Sequence, residues 1–254
     1  MTEPSVAVVT GAGSSTGIGF ATAQALGRAG HPVVIVSTTE RIKERAAELR
    51  ATGLEAHAVI ADLTLEADIE RVREHAEALG RIDVLVNNAG MAILGEMDAP
   101  GALERLDLEA WRRSLDRNLT SAFLVTRAFL LGMKSRRYGR VINVSSTTGT
   151  VSAVAGDTAY AAAKAGMVGF TRAVALEAAP YGVTVNAVAP GWIATGSQTE
   201  REAAAGLRTP VRRSGAPEEI AALIAFLASR GASYVTGQLI VADGGNSLLE
   251  DHNA

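Results

Sequence analysis

The chain is 254 residues long, 48% apolar, with a formal net charge of −3 and no cysteine. That length suits one large α/β domain or two small ones, and the lack of thiols excludes disulfides and zinc–thiolate sites, so no metal is expected. The charges are scattered rather than blocked and no apolar run approaches the roughly 18 residues that span a bilayer, so neither a nucleic-acid face nor a membrane segment is expected.

The opening MTEPSVAVV has no basic n-region and does not read as a secretory signal, and a cytoplasmic enzyme is the expectation. From there, nearly continuous β-branched runs fall at 6–10, 33–37, 56–60, 83–87, 140–145, 183–188 and 238–243. Helical patterns lie between them, around 18–29, 40–52, 66–79, 109–133, 159–179 and 217–229. Continuous apolar runs are how parallel strands read when helices cover both faces of a sheet. The alternation predicts an α/β chain with a doubly wound, mostly parallel seven-stranded sheet, as a single domain over 1–254. The least regular segments, about 91–108 and 194–216, are the expected substrate loops. In such sheets ligands bind beyond the carboxyl ends of the strands, which is where the informative residues fall.

The first strand exits into TGAGSSTGIG, residues 10–19. Glycines allow a tight turn and close approach of backbone to a pyrophosphate, and the helix that follows offers free N–H groups and a partial positive charge. The candidate dinucleotide contacts here are Gly11, Ser14, Ser15, Thr16, Gly17, Ile18 and Gly19. No Gly-Lys-Ser/Thr ending follows, so this is not a P-loop. The second strand ends at Ser37, where an acid would hold the ribose hydroxyls of NAD and repel the extra phosphate of NADP. Ser37, Thr38 and Thr39 stand there instead, with Arg41 beyond, while Glu40 reads either against NADP or as a favourable helix start. NADP(H) is favoured, with NAD(H) the alternative.

Further on, Tyr160 and Lys164 stand at i and i+4 of a helical pattern and share one face. An ammonium beside a phenol favours the phenolate, which predicts a Tyr160 pKa lowered toward neutrality, as carbonyl reduction needs.

Together with these residues, NNAG at 87–90, RNLTSAF at 117–123, VINVSS at 141–146, YAAAK at 160–164, NAVAPGWIAT at 186–195 and VTGQLIVADGG at 235–245 resemble the short-chain dehydrogenase/reductase family over almost the whole chain, in a branch like the 3-oxoacyl-carrier-protein reductases. The resemblance implies a Rossmann fold. It also implies a catalytic set in which Tyr160 is the general acid, Lys164 holds the nicotinamide ribose, Ser146 polarises the substrate oxygen and Asn118 supports a water-mediated proton relay. By the same resemblance Asp62, with Leu63 beside it, contacts the adenine, and Asn88, Ala89 and Gly90 lie against the adenosine side. Pro190, Gly191, Ile193 and Thr195 then meet the nicotinamide. Asn87 and Asn88 read equally well as struts of the sheet centre, Asp62 as a cap of the next helix and Thr195 as an ordinary loop residue.

Four departures from the family pattern matter. Five residues separate Gly11 from Gly17, two more than usual, leaving two registers for the first glycine: Gly11, favoured because it follows Thr10, or Gly13. The surplus residues are expected to bring Ser14, Ser15 or Thr16 toward the adenosine ribose. Ser146 to Tyr160 is one position longer than usual, which makes Ser145 a rival hydroxyl; Gly149, three residues on, favours Ser146. The segment 91–111 is long, and the lid region 196–209 is short and polar.

The substrate is expected against Ser146, Thr148, Val154, Tyr160 and Trp192, with Met91, Ile93, Thr147, Ser152 and Ala153 nearby. No Arg or Lys is placed to clamp a carboxylate, which suits a small-molecule ketone, its alcohol or an acyl thioester. NADPH-dependent reduction of a ketone or 3-oxoacyl group stands first. An NAD-dependent secondary-alcohol or polyol dehydrogenase and a non-catalytic dinucleotide-binding protein are the alternatives. A homotetramer is expected from the resemblance.

Overall fold

In the computed structural model, which describes residues 3–90 and 101–250, the apolar runs become one sheet of seven parallel strands in the order β3-β2-β1-β4-β5-β6-β7. The strands are β1 (Ser5–Thr10), β2 (Val33–Ser37), β3 (Ala56–Ile60), β4 (Arg81–Asn87), β5 (Gly139–Val144), β6 (Val183–Pro190) and β7 (Leu239–Ala242). Alternate residues of each strand face opposite layers. Val6 and Val8 pack with Ile69, Val72, Leu124, Phe129 and Val174, whereas Ala7 and Val9 pack with Leu26, Ile42, Leu49, Ile220 and Ile224. The first set draws on α3 (Glu66–Glu77), α5 (Ser121–Arg136) and α6 (Thr158–Ala178). The second draws on α1 (Ile18–Arg28), α2 (Arg41–Ala51) and α8 (Pro217–Ala228). This is the doubly wound Rossmann sheet expected.

The strand order reverses at β1, whose neighbours are β2 and β4. A crevice therefore opens between the carboxyl ends of β1 and β4, where Gly11 and Asn88 stand.

Two segments differ from expectation. The helix read over 109–133 is α4 (Leu108–Leu115), a single π turn over Asp116–Thr120, and then α5. The lid region, read as irregular, contains α7 (Glu200–Leu207). The Thr199 hydroxyl accepts from Glu202 N–H at 3.2 Å and the Glu202 carboxylate accepts from Thr199 N–H at 2.7 Å, a reciprocal cap. Met91 and Ile93 lie outside the described residues. No described helix is long and apolar enough to cross a membrane.

Candidate active site

The crevice is built by backbone approach. Gly11 has φ +68°, and a Cβ there would sit 2.7 Å from Ala89 Cα; a Cβ on Gly19 would sit 2.5 Å from Asn88 Nδ2 and 2.6 Å from Gly11 O. The glycine turn is thus pressed onto the end of β4, with Gly11 in the left-handed conformation that side chains avoid. Gly13 has ordinary φ and lies beside the end of β2, its would-be Cβ 2.6 Å from Ser37 Oγ. Gly11 therefore holds the tight turn, as favoured.

Asn88 clasps the turn, its Nδ2 donating to Thr10 O and Gly11 O, both at 3.0 Å. Thr10 Oγ1 accepts from Asn88 N–H and Ala89 N–H, both at 3.0 Å, a role for Thr10 not read from the sequence. Asn87 is a strut: its amide donates to Thr126 Oγ1 and Asn143 Oδ1 at 2.8 Å, and Asn143 Nδ2 donates to Thr171 Oγ1 at 2.8 Å. This buried polar ladder fixes β4 and β5 against α5 and α6, since buried amides demand partners.

At the end of β2, Ser37 is half-buried and Thr38 and Thr39 are exposed. The Glu40 carboxylate pairs with Lys43 Nζ at 2.7 Å. Asp62 is exposed, with Oδ1 accepting from Thr64 N–H (2.9 Å) and Oγ1 (2.7 Å), and Leu63 is buried in the core. Asp62 thus closes a local turn, and the residue preceding α3 is Leu65.

Across the crevice, the segment after β6 is tied down by Gly215. Ala194 N–H donates to Gly215 O (2.8 Å) and Gly215 N–H to Trp192 O (2.9 Å). Pro190 ends the strand, with its carbonyl accepting from Thr147 N–H at 3.0 Å. Gly191 N–H donates to Ala242 O at 3.0 Å, Ile193 is buried, and Thr195 Oγ1 lies 3.0 Å from Ser197 Oγ. The surplus residues of the glycine turn do not all point toward the end of β2. Thr16 Oγ1 accepts from Gly196 N–H at 2.9 Å and lies 3.4 Å from Ser14 Oγ, while Ser14 O accepts from Gly17 N–H at 3.1 Å; Ser15 is exposed.

The catalytic candidates meet behind this crevice. Gly149, with φ +88°, lets the loop after β5 come so close to α6 that a Cβ would lie 2.1 Å from Ala161 O. That approach brings the loop carrying Ser146 against the turn of α6 that carries Tyr160. Ser146 Oγ accepts from Thr148 N–H at 3.1 Å. Ser145 is turned away, its buried hydroxyl donating to Lys164 O at 2.9 Å. Lys164 is 2% exposed, and its ammonium donates to Val144 O at 2.9 Å and stands 5.5 Å from the Tyr160 ring centroid. Asn118 lies in the π turn, a local widening that recurs at functional sites. Its Nδ2 donates to Ser114 O at 3.0 Å, and its buried Oδ1 has no partner among the described residues. A Cβ on Gly90 would come within 2.6 Å of that oxygen. Val154 and Trp192 are half-buried and Thr148 is buried.

The electrostatics differ from the expectation for Tyr160. Burial pushes the phenol above its usual range, the Ser146 hydrogen bond pulls it partly back, and the Asp157 and Glu202 carboxylates push it further up. The Lys164 ammonium, 5.5 Å from the ring centroid, is itself desolvated, with its own pKa pushed down to about 8. Asp157, three residues before Tyr160 at the head of α6, is an acid that reading for motifs alone passed over; burial first, and Glu202 second, raise its pKa.

A glycine crevice at the strand-order reversal, opposite a Ser–Tyr–Lys cluster fed from β5 and α6, is the arrangement of a dinucleotide-dependent oxidoreductase. A family model described as enoyl-(acyl carrier protein) reductase matches residues 11–247. The chain is 41% identical over 247 residues to a 3-oxoacyl-[acyl-carrier-protein] reductase of Pseudomonas aeruginosa, covering 94% of this chain and 96% of that protein. It is 42% identical over 249 residues to a cis-4-hydroxycyclohexanecarboxylate dehydrogenase of Sinomonas cyclohexanicum, covering 96% and 97%. Among solved structures, a variant actinorhodin polyketide ketoreductase with NADPH superposes with a TM-score of 0.88 at 35% identity, covering 97% of this chain and 98% of that one. The chain belongs to the short-chain dehydrogenase/reductase family and is an oxidoreductase acting on CH–OH or C=O groups.

Proposed function

We propose that the protein is an NADPH-dependent reductase of a neutral ketone or 3-oxoacyl thioester. The observation that carries this reading is the placement of Ser146 and Tyr160 on a loop and helix pressed together at Gly149, with the Lys164 ammonium 5.5 Å from the Tyr160 ring centroid; burial raises the phenol pKa. A phenol held in its acid form suits proton delivery to a carbonyl oxygen, the reductive direction. Ser146 donates a hydrogen bond to that oxygen, and Tyr160 passes its proton to it. Lys164 steadies the phenolate left behind, and Asn118 offers a buried acceptor oxygen with no partner among the described residues. NADPH, when bound, supplies the hydride.

The fit of the dinucleotide rests on the glycine crevice, whose close contacts leave no room for a Cβ at Gly11 or Gly19. It rests also on the start of α1, where Gly17 provides no side-chain cap and the first-turn N–H groups are left for phosphate. The choice of NADPH is supported by the end of β2. Ser37, Thr38 and Thr39 offer hydroxyls there, and the Glu40 carboxylate is paired with Lys43. The choice of a neutral substrate is supported by Asp157 and Glu202, whose negative charge acts on Tyr160 and repels a keto acid. Exposed Phe123 and Leu131 on α5 and Leu176 on α6 support burial of these faces in a homo-oligomer.

Titration of the protein with NADPH and NADH, followed by nicotinamide fluorescence, tests the coenzyme choice. Binding of NADPH at least tenfold tighter, about 1.4 kcal/mol, is expected. Tighter NADH binding contradicts the reading and favours the oxidative dehydrogenase, the activity named for the Sinomonas relative.

A further inference from the structure

One residue of the lengthened glycine turn reaches the base of the lid. Thr16, just before the α1 N-cap Gly17, accepts a hydrogen bond from Gly196 N–H at 2.9 Å across 180 residues of sequence. Gly196 follows the strand-end segment Pro190–Thr195 and precedes α7, the helix that forms the lid. Apart from the Thr199–Glu202 cap, the side-chain hydrogen bonds that fasten residues 195–199 to the rest of the chain are, among the described residues, that one and Gln198 Nε2 to Ser214 Oγ at 2.8 Å. The contact is close from both sides, since a Cβ on Gly196 would lie 2.5 Å from Thr16 Oγ1. The bond joins the turn after β1 to the segment after β6.

We propose that Thr16 is a positioning residue: its hydroxyl latches the base of the substrate lid to the dinucleotide turn, and a bound coenzyme leaves only when the latch opens. This rests on the dinucleotide reading above. It gives the two additional residues of the turn a role toward the lid, not toward the adenosine ribose.

The latch is broken from either side by a small change. Thr16→Val removes the acceptor at constant shape, and Gly196→Ala forces the pair apart without backbone strain, because Gly196 has no left-handed φ. Thr16→Ser keeps the hydroxyl. Two readouts are taken on the full chain: tryptic cleavage after Arg201 and Arg208 without coenzyme, which reports local opening, and stopped-flow dissociation of NADPH and of NADH. One neutral hydrogen bond shifts an opening equilibrium by about two- to tenfold. Thr16→Val and Gly196→Ala are expected to raise both lid cleavage and dissociation by that factor, equally for the two coenzymes, with Thr16→Ser near wild type. The double variant should add nothing to either single one, because both act on one contact. Wild-type cleavage and dissociation in Thr16→Val overturn the proposal, as does raised cleavage with unchanged dissociation. A loss confined to NADPH also overturns it, and puts the hydroxyl on the 2′-phosphate. If the wild-type protein binds neither coenzyme, the functional reading fails while the cleavage readout still decides whether the latch exists.

Discussion

Tyr160→Phe is expected to lower turnover about a hundred- to ten-thousand-fold, the contribution of a positioned general acid, while leaving NADPH affinity within about twofold. The change removes one hydroxyl from a half-buried ring whose position is set by α6 and by the Gly149 approach, neither of which uses that hydroxyl. Ser146 keeps the Thr148 N–H, 3.1 Å from its oxygen. Folding should therefore be unchanged, and the loss should appear in kcat rather than in coenzyme binding. Steady-state kinetics beside a coenzyme titration measures both. Turnover retained within tenfold would sink the assignment of Tyr160. In the wild type, the raised phenol pKa keeps the acid form through neutral pH, so the reductive rate should be flat there and fall only on the alkaline side. The oxidative rate, which needs the phenolate, should climb with pH.

Lys164→Met should abolish turnover and make the protein more stable. The Lys164 ammonium is buried and, among the described residues, no carboxylate is hydrogen-bonded to it; its hydrogen bond is to Val144 O. Holding a charge there is costly, and replacing a buried ion by an apolar side chain of similar length is often stabilising. The folded-state value of about 8 lies below the ordinary 10.5, which corresponds to about 3 kcal/mol. Leaving the Val144 carbonyl unpaired offsets roughly 1 kcal/mol of that. The net gain of about 2 kcal/mol translates to roughly 4–8 °C in Tm for a chain of this size. The sign with pH follows from proton binding. Between about 8 and 10.5 the unfolded chain holds the proton that the folded chain has released, so wild-type stability rises with pH across that window. Below it both states are protonated and the cost is constant. The advantage of Lys164→Met should therefore be largest below about pH 8 and shrink toward pH 10.5. Thermal unfolding at several pH values checks this, and a lower Tm in the variant at neutral pH would show that the ammonium is not a net cost.

Much of the fold was legible because continuous Val and Ile runs allow few readings other than strands buried on both faces. The runs at 33–37 and 56–60 coincide with β2 and β3, and the others differ by a few residues at their ends. The glycine turn and the Tyr–Lys face were legible because both are short-range patterns. What escaped depends on partners distant in sequence or on packing. The π turn at Asp116–Thr120 is a hydrogen-bond register with no residue signature, so 109–133 read as one helix. The lid helix carried a readable signal, Thr199 followed three residues later by Glu202, which the polar character of the segment masked. The direction of the Tyr160 shift needs burial, and spacing alone supplied only the lysine. Thr16, read as a dinucleotide contact, could not be tied to the lid because Gly196 lies 180 residues away.

The central claim is that this site reduces a carbonyl at the expense of NADPH with Tyr160 as proton donor. It is tested most directly by mixing the purified protein with NADPH and a small 3-oxoacyl thioester, then following the nicotinamide absorbance and the 3-hydroxyacyl product together. One product per NADPH consumed, with the rate lost in Tyr160→Phe, is the expected result. NADPH that binds but is consumed with neither the thioester nor a panel of neutral ketones, while NAD is reduced by a secondary alcohol, would contradict it.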